Sequence, residues 1–177
     1  AEEDLRLLAQ TDPLTGLLNR IELERQLVEA CSGLQEGGPN PRLAVLYMDL
    51  DGFKAINDEH GHAAGDALLK HVAHVLQSNL PPTSTIARMG GDEFIVLLPG
   101  ADEVSSRRTA DHVISRLAQE HTLPGGQVVR IGCSVGVSLA PTPIRSSCRT
   151  RRPGQARPIS SGCPSTIAGA AAMSYRR

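Results

Sequence analysis

Two acidic clusters are the segments of this sequence best suited to chemistry. Asp49 and Asp51 follow a continuous apolar run, while Asp92 and Glu93 follow a pair of glycines. If the two segments are neighbouring strands, Asp49 and Asp92 converge, and converging carboxylates repel each other unless a divalent cation lies between them. Mg²⁺ suits such a position because it is bound by one or two carboxylates together with substrate phosphates. Either cluster alone is also compatible with an ordinary turn at a strand end.

The glycine pair Gly90–Gly91 stands directly before the second acidic cluster. Glycine adopts positive φ without strain and lets a ligand come close to the backbone. A phosphate-bearing ligand would fit this role, but a tight hairpin needs glycine as well. The pair therefore supports a nucleotide site without establishing one.

The polar segment 52–66, which follows the first acidic cluster, offers groups that could hold a nucleotide. The backbone N–H groups of Gly52 and Phe53, with the cation of Lys54, can bind phosphate oxygens. Asn57 and Asp66 can read a base, since a carboxylate accepts from adjacent ring and exocyclic N–H donors such as those of guanine. Alternatively, Asn57 is a turn residue and Asp66 a favourable charge near a helix N-terminus, worth about 0.3–1 kcal/mol.

The elements that must position these groups follow from the spacing of apolar residues. The continuous apolar run 43–48 is typical of a strand buried on both faces. Period-two alternation over 129–139 predicts a strand or a strand pair, and the Gly-Gly turn predicts a hairpin. The predicted helices cover 2–10, 20–32 (with Asn19 as N-cap), 64–78 and 102–119, and the hairpin strands cover 85–88 and 94–98. Helices interleaved with strands predict an α/β fold with a central mixed or antiparallel sheet flanked by helices.

Composition excludes several classes of function. The 177 residues match about one domain, and 18 basic against 19 acidic side chains give a formal net charge of −1. A nucleic-acid binder carries a basic surplus, so no nucleic-acid partner is expected. No apolar run approaches the ~20 residues of a membrane span, and no signal peptide is visible. Four cysteines without a close pair favour reduced thiols, so we expect a cytoplasmic domain without membrane contact of its own.

The charge is distributed unevenly along the chain. Residues 1–140 hold 11 basic and 19 acidic side chains, whereas residues 141–177 hold seven arginines and no acid. This tail lacks Leu and Val and is rich in Ser, Pro, Gly and Ala, a composition typical of disorder. The same composition arises when GC-rich DNA is read in another frame. We therefore interpret 141–177 as a disordered or frameshifted tail, which peptide mass measurement would distinguish.

The combined motifs resemble the GGDEF family of diguanylate cyclases. The signature is Met89–Phe94 (MGGDEF), preceded by Arg88. Supporting motifs follow the family's order and cover about residues 5–140: DPLTGLLNR at 12–20, DLDGFKAIND at 49–58, HGH with GD at 60–66, and SVGV at 134–137. The resemblance implies a domain over 12–140, with 1–11 as the end of a signalling helix or linker. It also implies a sheet akin to the palm of class III nucleotide cyclases.

The same resemblance implies an activity and a partner. Family members condense two GTP into cyclic di-GMP with Mg²⁺ (or Mn²⁺), each protomer of a homodimer presenting one GTP to the other. They are commonly output domains controlled by an upstream sensor. The implied metal-binding residues are Asp49, Leu50 (through its carbonyl), Asp92 and Glu93, of which Asp49, Asp92 and Glu93 are also catalytic. The implied substrate-binding residues are Gly52, Phe53, Lys54, Asn57, His62, Asp66, Gly90 and Gly91.

Two departures from the family pattern modify this expectation. Many members carry Arg-x-x-Asp shortly before the signature as a product-inhibitory site, whereas this chain has Pro81-Pro82-Thr83-Ser84, so we expect no such site. The family also continues with a helix whose Lys and a following Arg grip the triphosphate, and 141–177 contains no such segment. The alternative function is therefore a catalytically impaired module that binds GTP or cyclic di-GMP and regulates a partner.

Overall fold

A computed structural model describes residues 10–35, 42–141 and 172–175 of the chain. Their helices and strands are α1 (Arg20–Gln35), β1 (Leu43–Asp51), α2 (Phe53–His60), α3 (His62–Asn79), β2 (Thr85–Gly90), β3 (Glu93–Pro99), α4 (Glu103–Leu117), β4 (His121–Thr122), β5 (Val128–Val129), β6 (Gly132–Ala140) and β7 (Ala172–Tyr175). The predicted helix over 2–10 lies outside the described residues apart from Gln10. Within the described ranges, no helix is long and apolar enough to cross a bilayer.

A five-stranded sheet in the order β2-β3-β1-β6-β7 forms the centre of the fold. Each neighbouring pair in this sheet is antiparallel. The prediction of an α/β fold with a central antiparallel sheet is thereby confirmed. β1 lies in the middle, between β3 and β6, so the acidic end of β1 is flanked on both sides by other strands.

The two faces of the sheet are covered by different helices, which explains the unbroken apolar sequence of β1. Leu46 and Met48 belong to a core cluster with residues of α3 and α4. Leu43 and Val45 point the other way, into a second cluster with Leu23 and other residues of α1. A strand buried on both faces needs apolar residues at odd and even positions alike.

Helix α1 begins where the sequence predicts. The Asn19 Oδ1 atom accepts a hydrogen bond from the Glu22 N–H at 3.1 Å, as an N-cap should. The helix runs three residues further than the predicted end at 32. Two of its large apolar residues do not pack inward: Ile21 is 74% exposed and Val28 58%.

Helix α2 (Phe53–His60) was not predicted. It lies between Gly52 and Gly61, whose φ angles are 85° and 86°, and buries none of its residues. Its core-facing side carries only two large apolar residues, Phe53 and Ile56, which are partly buried against the core. The first part of the polar segment 52–66 is therefore a helix, and most of its polar side chains face solvent.

The C-terminal part of the fold differs from expectation in two places. The period-two segment 129–139 is divided, since Val129 belongs to β5, which pairs with β4, and only 132–140 forms β6. Within the tail, Ala172–Tyr175 pairs with β6 as β7, so the interpretation as disorder does not extend to these four residues. Residues 142–171 and 176–177 lie outside the described residues, and the frameshift hypothesis for them stays a prediction.

Candidate functional site

The two acidic clusters meet at one end of the sheet. Asp49 on β1 is the direct register partner of Glu93 on β3. The Leu50 N–H donates to the Asp92 carbonyl oxygen at 3.3 Å, which joins the strands at the same point. Asp49 and Glu93 are exposed, whereas Asp92 is half-buried. The strands that carry the predicted metal ligands are therefore neighbours, as the sequence argument required.

The donor set at this end of the sheet suits a hard divalent cation. Carboxylate and carbonyl oxygens are the ligands that Mg²⁺ prefers, usually with several waters or phosphate oxygens completing the shell. Among the residues that the structure describes, no three His, Cys, Asp or Glu side chains form a ready-made metal cage. An ion held here would therefore need water or phosphate oxygens to complete its ligand shell.

Arg88 stabilises the glycine turn through side-chain hydrogen bonds. Gly90 and Gly91 have φ angles of 133° and 53°, a backbone that other residues rarely adopt. The Arg88 guanidinium donates to the Gly91 carbonyl at 2.8 and 3.0 Å. It also donates to both carboxylate oxygens of Asp12 at 3.0 and 3.1 Å. The turn that carries Asp92 is thus tied to the 12–18 loop.

Asp12 in turn organises that loop. Its Oδ2 atom accepts from the Thr15 N–H at 2.9 Å and from the Thr15 hydroxyl at 2.6 Å. Burial alone would raise the pKa of Asp12, but the hydrogen bonds from Thr15 and Arg88 outweigh it and lower the pKa of this carboxyl. Residue spacing gave no signal for this ion pair, and only the family motifs drew attention to Asp12 and Arg88.

The predicted phosphate-binding residues lie directly beyond β1. Gly52 takes a left-handed conformation that turns the chain into α2, so the Phe53 and Lys54 N–H groups lie in the first turn of that helix. Such N–H groups lack partners within the helix and attract anions. The Ser134 hydroxyl lies 2.9 and 3.0 Å from the two carboxylate oxygens of Asp51, which fixes the strand end from which this turn departs.

The predicted base-reading residues lie on the two sides of the junction of α2 and α3, Asn57 on α2 and Asp66 on α3. The Gly61 N–H donates to the Asn57 carbonyl at 2.8 Å, which ends α2 and starts α3. The Asn57 side chain lies against the backbone of Gly65, the residue before the exposed Asp66. His62 is the first residue of α3 and is exposed.

Cys133 lies buried below the acidic end. Burial, followed by the charges of Asp51 and Asp49, raises the pKa of its thiol to about 12. A thiol with so high a pKa is not a nucleophile at neutral pH. Cys133 and Cys31 are both free thiols, as expected for reduced cysteines. Cys148 and Cys163 lie outside the described residues.

The sequence profile of the family described as "Diguanylate cyclase, GGDEF domain" matches residues 9–150. An uncharacterized signaling protein of Caulobacter vibrioides is 44% identical over 151 residues, covering 83% of this chain and 18% of that protein. The bifunctional diguanylate cyclase/cyclic di-GMP phosphodiesterase MucR of Pseudomonas aeruginosa is 40% identical over 141 residues, covering 80% of this chain and 20% of MucR. The chain thus spans about a fifth of the length of these relatives.

Solved structures give the same result for the fold. The crystal structure of a sensory box/GGDEF family protein from Caulobacter crescentus superimposes with a TM-score of 0.68 at 45% sequence identity. The match covers 75% of this chain and 84% of that one. The match extends over most of both chains, so the fold of this chain is that of a GGDEF domain. The chain belongs to the GGDEF family.

Proposed function

We propose that this chain is a cyclase domain that condenses two GTP into cyclic di-GMP and two diphosphates. The observation that carries the proposal is the pairing of Asp49 with Glu93, with the Leu50–Asp92 hydrogen bond beside it. This pairing assembles at one sheet end the acidic residues that the family motif supplies. The naming of MucR as a diguanylate cyclase supports the same activity.

The residues have complementary roles in this proposal. Asp49, Asp92, Glu93 and the Leu50 carbonyl would hold Mg²⁺ or Mn²⁺, which supplies neutralisation of phosphate charge. Glu93 would accept the proton of the attacking 3′-hydroxyl. The phosphates would be bound by Gly52, Phe53 and Lys54, with Gly90 and Gly91 allowing close approach of the nucleotide to the backbone. Asn57 and Asp66 would recognise guanine, with His62 beside them.

The product requires two such domains. Each of its two phosphodiester bonds forms when the 3′-oxygen of one nucleotide attacks the α-phosphorus of the other and diphosphate leaves. One domain offers a single acidic strand end to a single GTP, so a homodimer must bring two sites face to face. We place the domain in the cytoplasm, where GTP is available, as the output of a larger protein with an upstream sensor.

Two further features of regulation belong to the proposal. The turn between α3 and β2 carries Pro81 and Ser84 where an inhibitory site would need Arg and Asp, so product should not inhibit through that surface. A second candidate function, a binding module that regulates a partner, is favoured by one observation. The sequence after Ala140 contains seven arginines but no segment that matches the one whose Lys and following Arg bind the triphosphate in the family.

The test measures the formation of cyclic di-GMP from GTP in the presence of Mg²⁺. The product is quantified by chromatography over a range of protein concentrations. A homodimeric cyclase gives product that rises faster than linearly with protein, and Asp92→Ala gives none. If the wild-type chain binds GTP but forms no product, the binding module is the better description. If it neither binds nor converts GTP, the proposed function is wrong.

A further inference from the structure

Gly65 is a glycine for which the backbone alone gives no reason. It lies in helix α3, is buried, and does not have the positive φ that favours glycine. Apart from proline, glycine is the poorest helix former, so alanine would be the better residue for the helix itself. A side chain must therefore be excluded here by something outside the helix.

The excluding neighbour is Asn57. A Cβ atom added to Gly65 would overlap the Asn57 Oδ1 atom, and it would lie 2.8 Å from Cγ and 3.1 Å from Nδ2. All three of the nearest heavy atoms thus belong to the same amide group, which occupies the space where a methyl group would otherwise be.

The backbone on both sides of this contact is held by hydrogen bonds, whereas the Asn57 amide itself can rotate. The Asn57 carbonyl accepts from the Gly61 N–H at 2.8 Å, and the Gly65 N–H donates to the Gly61 carbonyl at 3.3 Å. Asn57 and Gly65 are therefore joined through Gly61 at the junction of the two helices. A methyl group on Gly65 would rotate the amide away from α3 rather than separate the helices.

We propose that Gly65 is a positioning residue for nucleotide-base specificity: its missing side chain keeps the Asn57 amide beside Asp66. An amide offers one donor group and one acceptor, whereas a carboxylate only accepts. Side by side, the two groups match a base edge that combines N–H donors with an acceptor, as guanine does. This inference rests on the proposed function, because it assigns the base-reading role to Asn57 and Asp66.

The chain contains a matched control for this position. Gly33 lies in helix α1, also without positive φ, and an added Cβ would meet no atom within 4 Å. Gly33→Ala and Gly65→Ala therefore make the same change in helix propensity, but only Gly65→Ala displaces Asn57. Any difference between the two variants reports the contact with the amide.

The experiment measures binding of 3′-deoxy-GTP and 3′-deoxy-ATP with Mg²⁺ by calorimetry, since these nucleotides lack the attacking hydroxyl and cannot turn over. The full chain is compared with Gly65→Ala, Gly33→Ala, Asn57→Ala and the double variant Asn57→Ala/Gly65→Ala. Gly65→Ala should weaken GTP-analogue binding about tenfold, the loss of about one well-placed hydrogen bond, and reduce the preference over the ATP analogue. Gly33→Ala should change neither by more than about twofold.

The double variant tests whether Gly65 acts through Asn57. Once Asn57 is alanine, adding Gly65→Ala should cost no further affinity, and it should raise Tm as Gly33→Ala does in the wild type. A loss of affinity that persists in the Asn57→Ala background, or equal losses in Gly33→Ala and Gly65→Ala, would overturn the role of Gly65 alone. Failure of the wild-type chain to bind the GTP analogue would overturn both this role and the proposed function.

Discussion

The β2–β3 turn separates two regions that use charge in opposite ways. Behind the turn, Arg88 and Asp12 form an ion pair at 3.0 Å with side chains only 11% and 16% exposed. In front of it, Asp49 and Glu93 lie opposite each other on adjacent strands, both exposed. The first region satisfies its charges within the protein, whereas the second places like charges side by side.

This difference separates the scaffold from the site. Like charges directly opposite each other in an antiparallel pair destabilise it, by roughly 0.2–1 kcal/mol. A protein that only had to fold would avoid that arrangement at the end of its central strand. The Arg88 pair holds the turn in shape, and the exposed carboxylates lie where a cation and its phosphates could reach them.

The largest expected effect comes from removing one of the exposed carboxylates. Asp49→Asn should lower cyclic di-GMP formation by a factor of about 100 or more, because a charged ligand and its preorganised position are lost. The free energy of unfolding should change by no more than about 0.5 kcal/mol, since Asp49 is exposed at the surface. Turnover assays and urea unfolding measure the two effects.

Asp111→Asn, an exposed acid on α4, is the control and should change neither quantity. A clear loss of stability in Asp49→Asn would show that this carboxylate serves the scaffold. The contrast between the two regions would then be wrong.

A variant at Arg88, unlike Asp49→Asn, should act mainly by lowering the stability of the protein. Arg88→Ala leaves the partly buried Asp12 carboxylate without its cation and releases the Gly91 carbonyl, so it should lower the unfolding free energy by about 2–3 kcal/mol. Activity should fall with it, because the turn that carries Asp92 loses its support. Arg88→Lys should recover only part of the loss, since lysine cannot bridge both acceptors with a planar fork.

The exposed pair between Arg130 and Glu120 provides the comparison, with side chains 71% and 60% exposed. Arg130→Ala should cost less than about 1 kcal/mol. Chemical unfolding of both variants under the same conditions measures the difference. Equal losses would mean that the Arg88 pair is no more structural than a surface ion pair.

The smallest expected effect is a pH dependence of stability, and it arises in the scaffold rather than at the acidic strand ends. The His71 ring on α3 stacks on His121 of β4, with ring centroids 3.4 Å apart. Burial, then the neighbouring His121 and His74, lower the pKa of His71 to about 4 from an ordinary value of 6.5. The unfolded chain thus binds more protons between these values, so stability is full above pH 6.5 and declines as pH falls towards 4.

Thermal unfolding of the wild type and His121→Phe between pH 4 and 8 checks this. The variant keeps a flat ring on His71 but removes the electrostatic effect by which His121 lowers the pKa of His71, so its stability should decline less on acidification. His112→Gln, which alters a histidine outside the stack, should leave the decline unchanged. A wild-type Tm that is constant from pH 8 to 4 would contradict the assignment.

The sequence predicted those features that depend on local pattern or on the family motifs. The apolar run of β1 and the glycine hairpin located Asp49 and Asp92, and their strands are indeed neighbours. Helix α2 escaped prediction because it has only eight residues and its core-facing side carries just Phe53 and Ile56, too few to show a periodic pattern. The contact between Asn57 and Gly65 depends on the fold of that unpredicted helix.

Long-range polar contacts were beyond sequence reasoning for a different reason. Arg88 and Asp12 are 76 residues apart in the chain, and no periodicity relates their positions. In α1, apolar residues at Ile21 and Val28 look like core positions, but the helix turns them towards solvent. Which of several apolar residues face inward is decided by the docking of the helix on the sheet.

The central place of β1 has a consequence for the order of folding. Its partner β6 is paired from Leu43↔Ala140 to Asp51↔Gly132, so one edge of β1 is closed only by a strand near the far end of the domain. Pairings this distant in sequence form slowly, whereas helices form early. During synthesis from the N-terminus, β1 therefore emerges long before β6 and keeps an open apolar edge, the kind of surface that favours aggregation. The period before residues 132–140 leave the ribosome is therefore when the exposed edge of β1 is most open to aggregation.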